Sequence, residues 1–175
     1  MKAIKDIEDL FYHELQVMWS AEAQLVEAMP AMIERAKSEA LKKLLSMHYA
    51  ETQQHKTALE LICKQLNISP EGDFNPGMKG ILEEGDKVMA KDATDEGMDA
   101  ALIAGAQKVE HYEIAGYGAA AYYAEMLGHE GIAQRLRLTL AEEQDADTKL
   151  NFLAKSIVNP RAANPTDTVT HSITV

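Results

Sequence analysis

The strongest constraint on this sequence is a helical hydrophobic period, which runs through four long stretches with almost no strand-like alternation. The first stretch extends from Ile4 to Ala36 and contains Pro30, which should kink the helix or remove one hydrogen bond. The others extend from Ser38 to Leu66, from Glu96 to Leu127 and from Gly131 to Val158. The sequence therefore predicts an all-α fold with four long helices.

The linkers between these stretches predict how the helices are connected. The first and second stretches, and the third and fourth, are so close in sequence that each pair must form an antiparallel hairpin. The segment from Asn67 to Asp95 is far longer and contains a short amphipathic helix, predicted from Met78 to Met89. Two hairpins joined by one long crossover make a ferritin-like four-helix bundle, which we predict for residues 1–158. The polar stretch 159–175 is expected to be a mobile tail.

The composition argues against several classes of function. The chain has 175 residues, with 17 Lys plus Arg against 28 Asp plus Glu, so its formal net charge is −11. Such a surface repels nucleic acid and anionic lipid, and no apolar run is long enough to cross a membrane. Cys63 is the single cysteine, which excludes an intrachain disulfide and a thiolate zinc cluster. The N-terminus lacks an apolar signal segment, so we expect a cytoplasmic protein without nucleic-acid or membrane partners.

Acidic residues and a histidine interrupt the apolar faces of all four helices. Residues three or four apart lie on one helix face, so these side chains should point towards the core. They are Glu22 in the first helix, Glu51 and His55 in the second, Glu110 and Glu113 in the third, and Glu143 and Asp147 in the fourth. His48 also lies on this face, but we interpret it as a hydrogen-bonded core histidine outside the ligand set.

Residue counting places these carboxylates at one height in the bundle. Glu22 precedes the first hairpin turn by about fifteen residues and Glu51 follows it by about fourteen, so both lie ~21–23 Å from that end. Glu143 follows the second turn by about fourteen residues, and Glu113 precedes it by about sixteen. All four helices therefore bring carboxylates to a single central layer.

Six carboxylates in one buried layer cannot all remain ionised without neutralisation. No Lys or Arg occupies these face positions, which leaves metal ions or shared protons as the two alternatives. Oxygen ligands with an imidazole suit Fe, Mn or Zn, and a Glu from each helix matches the di-metal carboxylate pattern. We predict two divalent ions, Fe or Mn, with Glu51 as a carboxylate shared by both and with His55 and Asp147 as additional ligands.

Four segments carry a recognisable pattern: Ser20–Leu25, Glu51–Thr52, the long segment Asp99–Gly118, and Glu142–Asp147. Together they resemble the bacterial YciF-like stress proteins. The resemblance implies a ferritin-like bundle related to rubrerythrin, a cytoplasmic setting, a role in stress responses and often a dimer. By position, the rubrerythrin-type ligands are Glu22, Glu51, Glu110, Glu113 and Glu143. The sequence departs from that pattern at Gln54 and Asp147, where the two histidines would stand.

Two functions stay open at this point. One is a di-iron or di-manganese oxidoreductase, with peroxide, dioxygen or Fe(II) as its small ligand. The other is a non-enzymatic stress-response bundle that keeps a metal-free site and acts through association. In either case we predict a homodimer, with Phe11, Trp19 or the pair Tyr122–Tyr123 on a face that one bundle leaves uncovered.

Overall fold

The structure is a computed structural model that describes residues 3–164, and within them it confirms the all-α prediction. The helices are α1 (Ile7–Arg35), α2 (Glu39–Gln65), α3 (Pro76–Met89), α4 (Asp95–Met126) and α5 (Glu130–Leu153), followed by a π-helical turn (Ala154–Val158) and α6 (Asn159–Ala163). The two hairpins are α1–α2 and α4–α5, and the crossover between α2 and α4 contains α3, as predicted. The first residues of the predicted tail thus form α6, and residues 165–175 lie outside the described part.

Side-chain caps set the ends of the first hairpin. Asp6 accepts a hydrogen bond from the Asp9 N–H at 2.9 Å, so α1 begins later than the hydrophobic pattern suggests. Ser38 caps α2, and α1 stays helical on both sides of the exposed Pro30. Asp99 of α4 is buried and accepts the backbone N–H groups of Lys37 and Ser38 at 2.7 Å each, which ties the turn to the second hairpin.

The crossover is held in place by Asn75, which is fully buried. Its backbone N–H donates to Ser20 Oγ, and its side-chain amide donates to the Val17 carbonyl, both at 3.0 Å. Its Oδ1 accepts from the Met78 N–H and from the Tyr112 hydroxyl, each at 2.9 Å. These bonds to α1 and α4 fix the start of α3, which packs across both helices.

The bundle core contains three apolar clusters, one of which packs α1 against α3 and α4 and includes Leu25 and Met78. The other two lie on either side of a polar layer. One cluster lies near the α4–α5 turn and includes Phe11, Leu59 and Leu136, and the other lies near the α1–α2 turn and includes Leu41 and Leu150. The backbone of α4 approaches α1 closely at Gly116, where an added β-carbon would collide with Met18 Sδ. The layer between the clusters contains the functional side chains.

Candidate metal centre

Six ionisable side chains fill the layer between the two apolar clusters. Each is at most 5% exposed, and together they come from all four long helices. They are Glu22 of α1, His48 and His55 of α2, Glu110 and Glu113 of α4, and Glu143 of α5. Carboxylates from α1, α4 and α5 therefore converge in the fold with two histidines from α2.

These side chains form two groups that share one residue. His48, Glu110, Glu113 and Glu143 each offer a ligand atom, and these atoms lie within 4.8 Å of one another. Glu22, His55 and Glu143 form a second such group under the same distance limit. Glu143 belongs to both groups, so its carboxylate would contact both ions if each group held one.

The two histidines lie on opposite sides of the Glu143 carboxylate. His55 Nδ1 lies 2.8 Å from Glu143 Oε1 and 3.7 Å from Glu22 Oε1. His48 Nε2 lies 3.7 Å from Glu143 Oε2 and 3.2 Å from Glu110 Oε1. Each imidazole thus directs one nitrogen towards the shared carboxylate.

Burial and neighbouring charges shift the pKa values of four side chains in the layer, namely Glu22, His55, Glu110 and Glu113. Burial, and then the charge of Glu143, raise the pKa of Glu22 to about 8. Burial and neighbouring carboxylates raise the pKa of Glu110 and of Glu113 well above the usual range. Burial lowers the pKa of His55, but the nearby carboxylates of Glu143, Glu22 and Glu142 outweigh this effect and raise that pKa to about 9. The metal-free layer therefore holds protons that a bound cation would displace.

A tyrosine closes the layer on the side of the apolar cluster that contains Phe11. The fully buried Tyr117 hydroxyl donates a hydrogen bond to Glu22 Oε1, and its ring meets the His55 ring edge-on at 6.2 Å. Burial, followed by the charge of Glu22, raises the pKa of the Tyr117 phenol, so it remains a neutral donor.

The layer also contains a set of buried polar atoms that have no hydrogen-bond partner. Among residues 3–164, every such side-chain atom belongs to these six residues, including both oxygens of Glu113 and of Glu143. The imidazole–carboxylate contacts above are close in distance, but they lack hydrogen-bond geometry at several of these atoms. Buried polar groups in proteins are nearly always satisfied, so this concentration fits a layer that completes its interactions with cations.

The structure brings five of the seven predicted ligands into the two groups, namely Glu22, His55, Glu110, Glu113 and Glu143. It leaves Glu51 and Asp147 outside both groups, at the margin of the layer. The Glu51 side chain is 35% exposed and lies 3.5 Å from His48 Nδ1, and the Asp147 side chain is 21% exposed and accepts from Gln107 at 3.1 Å. Glu143, and not Glu51, is the carboxylate that belongs to both groups.

His48 is the residue that sequence reasoning left out. The buried stripe of α2 runs through Leu45, His48, Thr52, His55 and Leu59. Successive residues on this stripe are three or four positions apart, as one helix face requires. Glu51 directly precedes Thr52 and lies at nearly the same height along the helix axis. Its side chain, however, leaves the helix about 100° away from that of Thr52. The spacing of the stripe thus places His48, interpreted from the sequence as a core histidine, on the same face as His55.

The same stripe changes the comparison with the rubrerythrin-type pattern. The residue three positions before His55 is Thr52, which is fully buried and donates to the His48 carbonyl at 3.0 Å. A threonine therefore stands where a Glu-x-x-His pair ending at His55 would place its carboxylate. Gln54, the position where the motif beginning at Glu51 would need a histidine, is exposed.

Comparison with known proteins identifies the family. Residues 6–163 match the family described as domain of unknown function DUF892. The chain belongs to this YciF-like family. It is 40% identical to protein YciF of Escherichia coli strain K12 over 162 residues, which cover 92% of this chain and 98% of the relative.

Two solved structures of the YciF-like family share the fold. The crystal structure of the E. coli stress protein YciF matches with a TM-score of 0.85 and 36% identity, over 93% of this chain and 100% of that chain. YcfI from Rhodopseudomonas palustris, provisionally described as a structural protein, matches with a TM-score of 0.82 and 41% identity. The match covers 86% of this chain and 96% of the YcfI chain. In the described part of this YciF-like chain, no helix is both long and apolar enough to span a membrane.

Proposed function

We propose that this YciF-like protein binds two divalent metal ions, Fe or Mn, in the buried layer and uses them in redox chemistry. The observation that carries the proposal is the confinement of the unpartnered buried atoms to the six layer residues. His48, Glu110 and Glu113 would hold one ion, Glu22 and His55 the other, and Glu143 would contact both. Carboxylate oxygens with one imidazole per ion form a donor set suited to Fe and Mn.

Bound ions of this kind would supply one-electron chemistry towards peroxide, dioxygen or Fe(II). The chain's own contribution is to exclude water, since the layer is closed on both sides by apolar clusters. The Tyr117 hydroxyl donates a hydrogen bond to Glu22 and thereby orients that carboxylate. The proposed setting is the bacterial cytoplasm during stress, as the family resemblance implies.

The proposal is tested by metal analysis and by thermal unfolding with Fe(II), Mn(II) and Zn(II). An ion that binds only the folded chain should raise the melting temperature with the logarithm of its concentration. Glu143→Gln should remove most of this rise, because both ion positions lose the shared carboxylate, whereas the exposed control Glu83→Gln should retain it. No rise in the wild-type protein, or equal rises in all three proteins, would refute a metal centre in this layer.

A second function is a stress-response bundle with a metal-free site that acts by association. It is favoured by Thr52, which replaces a carboxylate on the buried stripe, and by the pairing of His55 with Glu143, which lets the layer neutralise itself. The provisional description of YcfI as a structural protein points the same way. Purified protein that folds stably without metal and does not bind Fe(II) or Mn(II) would favour this alternative.

We further propose that the protein forms a homodimer. The predicted Phe11 face is fully buried within the bundle, and Trp19 is engaged by a 3.1 Å hydrogen bond to Glu60. Tyr122 and Met126 are 59% and 58% exposed and lie one helical turn apart on α4, so they offer an apolar contact surface. Light scattering at micromolar concentration should give twice the 19.3 kDa chain mass, and a strict monomer would reject the dimer.

A further inference from the structure

The Glu142 carboxylate lies outside both ligand groups but touches one of their histidines. Glu142 Oε2 is 2.8 Å from His55 Nε2, and the Glu142 side chain is 46% exposed. The other ring nitrogen, His55 Nδ1, faces Glu143 at 2.8 Å and Glu22 at 3.7 Å. The imidazole of His55 therefore connects a surface carboxylate to the buried layer.

The local structure of α5 explains this arrangement. Glu142 and Glu143 are consecutive, so their side chains leave the helix about 100° apart. Glu143 points into the core and is fully buried, while Glu142 lies at the edge of the bundle, where α5 packs against α2. His55 is 1% exposed, so its Nε2 finds its hydrogen-bond partner at this edge.

We infer that Glu142 is a positioning residue, which accepts the His55 Nε2–H and thereby presents Nδ1 as a ligand to the ion held with Glu22 and Glu143. The inference rests on the proposed metal-binding function. A neutral imidazole has one N–H and one lone pair, so a fixed acceptor at Nε2 selects the tautomer whose lone pair is on Nδ1. Such outer carboxylates also hold the ring orientation and increase the basicity of the ligand nitrogen.

His48 provides a contrast within the same protein. Its outward nitrogen, Nδ1, lies 3.5 Å from Glu51 Oε2, which is longer than a well-formed hydrogen bond, and it has no hydrogen-bond partner in the described structure. The two histidines therefore differ in their outer contacts. Glu142 is within hydrogen-bond distance of His55, whereas Glu51 lies too far from His48 for a well-formed hydrogen bond. Removal of Glu142 should affect only the ion position that contains His55.

The test measures Mn(II) and Co(II) binding by titration, together with the visible spectrum of bound Co(II), for wild type and two Glu142 variants. Glu142→Ala should weaken one of the two binding steps about 10–100-fold and change the Co(II) spectrum, as loss of an outer-sphere partner does. Glu142→Gln keeps a carbonyl acceptor and should restore part of the affinity. Asp145→Ala is the matched control, because it removes a carboxylate one turn away on α5 that pairs with Lys149 and touches no histidine.

A second comparison uses the background of His55→Ala, which removes the mediating imidazole. There, Glu142→Ala should change neither affinity nor spectrum, because a positioning residue acts only through its partner. If the wild-type protein binds metal and Glu142→Ala binds it with the same affinity, the inference is overturned, but the proposed metal site is not. An equal loss in Asp145→Ala, or in the His55→Ala background, would also overturn it, because Glu142 would then act as a general surface charge. Failure of the wild-type protein to bind either metal would refute the proposed function and this inference together.

Discussion

The metal-free protein should lose stability as the pH rises from about 5 to about 9. Glu22 has an ordinary pKa of 4.5 and a folded-state pKa of about 8, so it keeps its proton longer in the folded chain. His55 has an ordinary pKa of 6.5 and a folded-state pKa of about 9, so it too stays protonated longer when folded. For both groups the stabilising contribution is complete below the unfolded pKa and is lost as the pH rises through the folded one.

The size of the effect follows from these two pKa values. One pKa unit corresponds to about 1.4 kcal/mol, so Glu22 contributes about 5 kcal/mol across its interval and His55 about 3 kcal/mol. The two contributions overlap, because both groups interact with Glu143 and titrate together. We expect the free energy of unfolding to fall by ~3–5 kcal/mol over the whole range.

The assay is urea denaturation with chelator present, at about pH 5, 7 and 9, followed by circular dichroism and by the fluorescence of the single tryptophan, Trp19. Glu22→Gln keeps the shape of the side chain but cannot titrate, so the variant should lose the part of the decline that lies below about pH 8. Metal-induced stabilisation should instead grow with pH, because the ligands must release protons to bind a cation. Metal-free protein that is equally or more stable at the highest pH would refute the assigned protonation of the layer.

Three further predictions test the site and its frame. Metal analysis of His48→Ala should find one Mn(II) ion per chain instead of two, because His48 belongs only to the group with Glu110, Glu113 and Glu143. Retention of both ions would contradict this assignment. Asp99→Ala should lower the free energy of unfolding by about 2–4 kcal/mol in urea denaturation, because two partly buried backbone N–H groups lose a charged acceptor; a loss below the error of the measurement would contradict it. Gly116→Ala should cost ~1–3 kcal/mol by the same assay, since Met18 must move away from the new β-carbon, and an unchanged midpoint would show that it moves freely.

The order and pairing of the helices could be predicted from the sequence because they depend on local signals. The apolar period along each helix, the short turns at Ala36–Ser38 and Leu127–His129, and the long crossover leave few alternative connections. The common height of the carboxylates followed from the constant rise per residue, which is why Glu22, Glu113 and Glu143 meet in one layer.

The ligand set within that layer depended on the tertiary structure. Glu51 and Thr52 have nearly the same height, and only the rotation of α2 against its neighbours decides which of them faces the core. That rotation buries His48, Thr52 and His55 and leaves Glu51 at the margin. Sequence spacing fixes angles within one helix to about 100° per residue, but it does not fix the direction in which the whole helix faces.

The sequence by itself therefore determined a four-helix bundle with a buried acidic layer, because helical period, turn length and rise per residue are properties of the chain alone. The tertiary structure decided that Glu143 belongs to both ligand groups, that His48 and His55 lie on either side of it, and that Glu142 holds one of these histidines from outside. These relations join side chains from different helices. They arise from the packing of the four helices against one another, which no single stretch of sequence specifies.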